Sequence, residues 1–279
     1  MFRPHEHGGQ GAERKMLKDV MTLAVAFFAC TIGKVCGMGG GVIIKPVLDA
    51  LDVYSGLAIN FMSCCTVLAM SCFSVVKGKL KGKSSVNWKE SSFLAVGAAL
   101  GGYVGKTRYL MLETYFPDKG IASGIQSCVL LFFLVAVYIY TCNKEHLKSL
   151  HVSNPLACVL IGGFLGLLGA FLGIGGGPFN MAVLFLFFSM ETKKAAENSI
   201  YIIFISQFFA FVKSIANGLA DDLNIPILLS MVVCGVIGSE LGSRINDRVS
   251  NHRSTTLFKG AIIIVGFICI SNIYTKLIY

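Results

Sequence analysis

The sequence predicts an all-α, polytopic integral membrane protein made of two homologous halves. Three observations carry this. Of 279 residues, 54% are hydrophobic and 14% charged, where soluble domains carry about 25% charged residues. Apolar segments recur along the whole chain, and one glycine-rich signature occurs twice at a fixed interval. A soluble chain with a mean hydropathy of +0.71 would lack the polar surface to stay dispersed. The 31 glycines and 21 phenylalanines also suit membrane helices rather than a disordered or collagen-like chain. The net charge of +9 falls on no candidate soluble domain. It therefore argues against a nucleic-acid partner and for basic loops on a cytoplasmic face.

The elements follow in order. Residues 1–19 are a polar tail of mixed charge, unlike a transit peptide. The first apolar segment, 20–36, begins like a signal sequence. It runs into Gly33, Lys34 and a glycine cluster instead of a cleavage site, so it reads as a retained helix. Segments 42–51, 56–76, 92–112 and 121–142 complete a first repeat, 20–142. A polar linker, 143–154, leads to the second repeat, 155–279, with segments 155–172, 178–190, 195–215, 226–241 and 257–277. A helix needs about 20 apolar residues to cross the hydrocarbon core, and eight segments approach that. The segments at 42–51 and 178–190 do not; ten helical residues reach roughly 15 Å, about half the core. Each half thus has four full-length helices and one short, glycine-broken element. The ten cysteines are scattered without a C-x-x-C and read as small apolar packing residues.

The halves are matched at three places. G-K-V-C-G-M-G-G-G at 33–41 recurs as G-A-F-L-G-I-G-G-G at 169–177, an offset of 136. A-I-N at 58–60 matches A-E-N at 196–198, and Gly101 and Gly105 match Gly238 and Gly242. Such duplication is a common plan for transporters. If each short element re-enters without crossing, each half crosses four times and the halves are parallel. If it crosses, each half crosses five times and the halves are inverted, and basic residues in the loops divide equally well for both. The loop at 77–90 has five lysines, however, whereas its counterpart at 213–225 sets Lys213 against Asp221 and Asp222. Equivalent loops of opposite charge favour inversion, with the lysine-rich loop cytoplasmic.

The candidate site rests on the two G-x-G-G-G segments: Gly37, Gly39, Gly40 and Gly41, and Gly173, Gly175, Gly176 and Gly177. Successive glycines in a helix cost on the order of 2–3 kcal/mol against alanine. Broken helices persist in membranes where the freed backbone is enclosed or lines a watery cavity. The N–H groups that start the following half-helix suit an anion. Close packing through small residues is the competing explanation, and it is the better one for Gly101/Gly105 and Gly238/Gly242. Lys34, just before the first cluster, is a candidate anion contact. Asn60 and Asn198, at matched positions, either touch substrate or bridge helices. Lys45, Lys213 and Arg244 read as snorkelling cations, Glu240 and Arg244 as an i,i+4 pair, and Gln207 as a helix bridge. No dinucleotide, phosphate-loop, nucleophile-elbow or metal pattern occurs, so neither an enzyme nor a cofactor is expected.

These same residues carry a resemblance. The paired G-x-G-G-G segments, Pro46 after the first, the A-x-N motifs, I-G-G-G-P-F-N at 174–180 and S-I-Y-I-I-F-I-S-Q at 199–207 are similar to the sulfite exporter TauE/SafE family over about 20–277. The resemblance implies a permease of the bacterial plasma membrane for small anions, chiefly sulfur oxyanions and organosulfonates. It also implies two halves whose glycine-rich segments line the path. Two departures stand out: Pro178 directly follows the second glycine cluster, and Met181 stands where Pro46 would align. The expected partners are a small anionic substrate and the bilayer, with a homodimer left open. The alternative is a membrane scaffold or enzyme subunit that uses its glycines for packing alone.

Overall fold

The computed structural model describes residues 7–52, 54–82, 86–116, 119–144, 150, 152, 154–219 and 224–278. Lys83, Ser84, Asp221, Asp222 and much of the 143–154 linker lie outside them. Ten α-helices follow one another. They are α1 (His7–Cys36), α2 (Gly41–Leu51), α3 (Gly56–Leu80), α4 (Trp88–Tyr115) and α5 (Lys119–Asn143). The second set is α6 (Pro155–Leu172), α7 (Gly177–Phe188), α8 (Thr192–Ala216), α9 (Ile225–Arg248) and α10 (Asn251–Ile273), closed by a π turn at Tyr274–Ile278. All ten expected segments are present. Residues 7–19, expected as a tail, continue α1 as helix. Among the described residues, seven helices are long and apolar enough to span a membrane. Helix α4 is long enough, but Lys89, Glu90, Lys106, Arg108 and Glu113 dilute its apolar character.

Local chemistry marks several starts. Ser55, Asn154 and Ser250 accept N-terminal backbone N–H groups of α3, α6 and α10, and Pro155 opens α6, where no N–H is needed. The short helices share a stop signal. Asp52 after α2 and Ser189 after α7 both take left-handed conformations, at φ 49° and 51°. Each turns the chain sharply into the next long helix.

The short helices are return strokes. Tyr54, just past α2, donates to Asp19, near the start of the apolar part of α1, at 2.7 Å. Partial burial, then this carboxylate, pushes the Tyr54 hydroxyl up to about 12. In the second half, Leu150 and Val152, just before α6, donate backbone N–H groups to Leu186 and Phe187 at the end of α7, at 2.9 and 2.8 Å. The chain therefore enters on one helix, breaks, and comes back to the end where it started. One end of the bundle gathers the starts of α1, α3 and α5 with Lys276 beyond α10, which pairs with Asp52. We call it the terminus end. The other, the lysine end, gathers the starts of α8 and α10, where Asn251 donates to Glu191 at 2.8 Å, and the junction of α3 and α4, where Asn87 bonds Asn198.

Packing exchanges partners between halves. α4 lies on α6 and α1 lies on α9, both at backbone distance. On α4, Gly97, Gly101 and Gly105 face backbone atoms of Val159, Gly163 and Leu167 in turn, so α4 and α6 run parallel. Gly238 and Gly242 of α9 face Phe27 and Thr31 of α1 in the same parallel sense. Lipid gives no hydrophobic drive for such contacts, so they depend on close van der Waals fit through small residues. The isolated glycine pairs are thus packing residues, as their spacing suggested.

A Cβ at Gly166 would fall into the Ala98 backbone, whereas one at Gly260 meets nothing within 4 Å. Gly166→Val should lower stability by about 1–3 kcal/mol or more. Gly260→Ala should be neutral or stabilise by up to about 1 kcal/mol. Thermal unfolding of the two variants in detergent, read against the wild type, tests this difference.

Candidate functional site

The two glycine clusters meet at the centre of the molecule. Each closes its preceding helix in the same way. Met38 N–H reaches Gly33 O at 2.9 Å and Ile174 N–H reaches Gly169 O at 3.0 Å, with Gly39 and Gly175 adding second bonds to the same carbonyls at 3.2 Å. These six-to-one bonds satisfy carbonyls that the helix end leaves free. They require left-handed residues just before the donors, and Gly37 and Gly173 sit there at φ 71° and 70°; Gly39 and Gly175 follow at φ 70° and 75°, where a side chain is again disfavoured. The next helix starts directly afterwards, so its first-turn N–H groups lack intrahelical acceptors. Gly40, at the start of α2, is right-handed, while Gly176 is left-handed and Pro178 removes one donor from α7.

The loops touch reciprocally. A Cβ on Gly41 would lie 2.9 Å from the Ile174 carbonyl oxygen, and one on Gly177 would strike the Met38 carbonyl. Both explanations offered for the glycines therefore apply: some supply the break, and others admit the partner loop. Gly37 lies against Ala196 and Met181, and Gly173 against Asn60 and Lys45. Met181 is thus the spatial counterpart of Lys45, a correction to its expected pairing with Pro46. Gly175 abuts Gln207, which also accepts from Cys64 Sγ at 3.3 Å where α3 and α8 cross.

The remaining expected residues separate. Lys34 is half-buried and lines a cavity of about 320 Å³ at the lysine end, with Ser74, Lys77, Ser239 and Glu240. There Glu240 pairs with Lys77 of α3 and with Arg244 at 3.0 Å, so the i,i+4 pair forms and gains an interhelical partner. Lys213 reaches Tyr103 OH at 3.1 Å. Lys45 does not snorkel: it is 2% exposed and pairs with Asp49 at 2.9 Å.

The asparagines do not share one pocket. Gln207 meets Cys64; Asn60 is four residues from Cys64 toward the terminus end, and Asn198 nine residues from Gln207 toward the lysine end. At 1.5 Å per residue the two lie about 20 Å apart. Asn198 Oδ1 accepts from Asn87 N–H at 2.8 Å and Ser91 Oγ at 2.6 Å, and its Nδ2 donates to Lys194 O at 2.7 Å. It ties α8 to the start of α4. Asn60 instead accepts from Lys106 Nζ and faces Gly173.

Sequence reasoning passed over Lys106 and Asp49. Lys106 is 1% exposed, beside the Tyr109 ring. A lysine next to Gly105, in a segment expected to cross a membrane, was the available signal.

Asn198→Ala removes two accepted bonds at a buried position. It should cost about 1–3 kcal/mol of stability and leave anion affinity unchanged in the surviving protein. A tenfold affinity loss at intact stability would place Asn198 in the site instead.

Comparison with known proteins follows the same lines. The family model described as Sulfite exporter TauE/SafE matches residues 22–269. The chain is 24% identical over 269 residues to the "Probable membrane transporter protein YunE" of Bacillus subtilis, covering 88% of this chain and 95% of that one. It is also 24% identical over 264 residues to a protein of Methanocaldococcus jannaschii named as a probable membrane transporter, covering 88% and 93%. No solved structure matches. With its spanning helices, its paired helix breaks and a family match over most of its length, the chain belongs to the sulfite exporter TauE/SafE family and is a multi-pass membrane transporter.

Proposed function

We propose that the protein is a secondary transporter of small oxyanions in a plasma membrane, with sulfite and other sulfur oxyanions or organosulfonates first among its substrates. The observation that carries this reading is the meeting of two helix breaks at the centre, each followed at once by a helix N-terminus. Such starts present N–H groups and a positive dipole end to a negative ligand. Lys34 adds a cation at the wall of the lysine-end cavity, three residues before the first break. The family description names sulfite, which suits this chemistry. No nucleotide-binding motif occurs in the sequence, so an ion gradient or the substrate's own gradient would drive flux.

The two repeats, 20–142 and 155–279, are read as inverted copies about an axis in the membrane plane. Re-entry is expected to go with parallel halves, but here each short helix folds back along the helix before it, which leaves three net crossings per half. The support for inversion is that α2 returns to the terminus end and α7 to the lysine end. The exchanged pairing of α4 with α6 and α1 with α9 agrees.

Purified protein should be stabilised by sulfite, thiosulfate or an alkylsulfonate more than by a carboxylate of equal charge, read by thermal shift. Lys34→Met should raise the half-saturation concentration severalfold. Absence of stabilisation by every oxyanion would sink the transport reading in favour of a scaffold. An unchanged half-saturation value would leave Lys34 as a cation at the cavity wall only.

Orientation is tested separately. The lysine end should be cytoplasmic. A cysteine replacing Lys81 in a cysteine-free background should resist an impermeant thiol reagent added outside intact cells and react after permeabilisation. Labelling from outside would reverse the assignment.

A further inference from the structure

Polar groups from four helices converge beside Gly173, on the terminus-end side of the second break. Lys106 of α4 is 1% exposed and donates Nζ to Asn60 Oδ1 of α3. Among the described residues no carboxylate lies within ion-pair distance of it, unlike Lys45, which is matched by Asp49; Glu113, farther along α4, acts on it only through space. The Asn60 amide Nδ2, which faces Gly173, is buried without a partner, as is Ser63 Oγ one turn along α3. Lys45 of α2 lays its stem along Gly173, and Gln126 of α5 donates to Phe171 O at 2.5 Å, closing the far wall. A buried cation bonded to a neutral amide is costly unless a further negative group completes it. The open valences here are mainly donors, namely the remaining ammonium hydrogens, two amide hydrogens and a hydroxyl, against one unpartnered acceptor, Gln126 Oε1.

The second half has no counterpart. By the offset that aligns Gly105 with Gly242, Lys106 corresponds to Ser243. Met181 occupies the Lys45 place beside Gly37. Ser63 corresponds to Tyr201 by the offset that aligns Asn60 with Asn198, and Asn198 bonds α4 and its own helix. The pseudo-equivalent surroundings of Gly37 are Ala196 and Met181, both without charge.

Resting on the oxyanion reading above, we propose that Lys106, Asn60 and Ser63 form a binding site for one small oxyanion per chain. The site draws its polar groups from the first half alone and lies against Gly173, on the terminus-end side of the second break. Lys106 supplies the charge, and the amide and hydroxyl supply neutral donors that fix oxygen positions without adding charge. The cavity of about 390 Å³ at the terminus end, lined by Asp49, Asp52, Tyr54, Gly56, Ser123 and Lys276, lies on this side. Its Gly56 wall adjoins the Tyr109 hydroxyl, one turn from Lys106.

The test is calorimetric titration of the purified full chain with sulfite, thiosulfate and sulfate. The wild type should bind one anion per chain. Lys106→Gln should weaken binding at least tenfold, and Lys106→Arg should restore much of it. Asn60→Asp should keep the fold by pairing the new carboxylate with Lys106, and should abolish binding. A stoichiometry of two per chain, or wild-type affinity in both Lys106→Gln and Asn60→Asp, overturns the site. If the wild type binds none of the three anions, both the oxyanion reading and the site resting on it are overturned. Binding that survives the variants overturns the site alone.

Discussion

A chain that interrupts its helices inside a bilayer must enclose the freed backbone in protein, because lipid offers it no hydrogen bonds. Here the enclosure is mutual. Each glycine loop is covered in part by the other, with Gly41 at the Ile174 carbonyl and Gly177 at the Met38 carbonyl. Two loops in such contact leave little room for side chains, which is why a run of glycines, rather than one, appears in each half. The crossing of α3 and α8 fills the flanks with Val67 and Ile203 beside Gly39. The outer pairs, α4 on α6 and α1 on α9, close the remaining sides at backbone distance.

Much of this was legible in the residues. Hydropathy located all ten helices, because membrane helices must be apolar along their length. Consecutive glycines before short segments located both breaks, because few other residues tolerate the left-handed turns they need. What hydropathy could not reveal was the return of each short helix to its own end. That direction is set by the left-handed glycine turns before each short helix, whose geometry a hydropathy profile does not register. Nor could the pattern tell Asn60 from Asn198. They match in sequence, but one faces a lysine and the other the start of a helix, because the residues around them come from different elements. Lys106 was passed over for a related reason: its meaning comes from Asn60, which is 46 positions away in the chain.

The two halves therefore share a frame but not its furnishing. Backbone-determining glycines are kept at matched positions, since altering either loop would disturb both. Side chains around the loops are under no such mutual constraint. Lys45 with Asp49 on one side stands against Met181 on the other, and Lys106 against Ser243.

The exchanged helix pairs also bear on how the protein is made. During synthesis the first half enters the membrane with the glycine face of α4 uncovered until α6 arrives. The α1 surface that receives Gly238 and Gly242 waits for α9, near the end of the chain. The first loop likewise has no opposite loop until α6 and α7 are in place. Neither half can reach its final packing alone, and the nascent protein must hold backbone-thin surfaces open in the bilayer while most of its length is still being translated. Insertion machinery or neighbouring lipids that keep those faces from pairing wrongly are thus part of what this architecture demands of the cell.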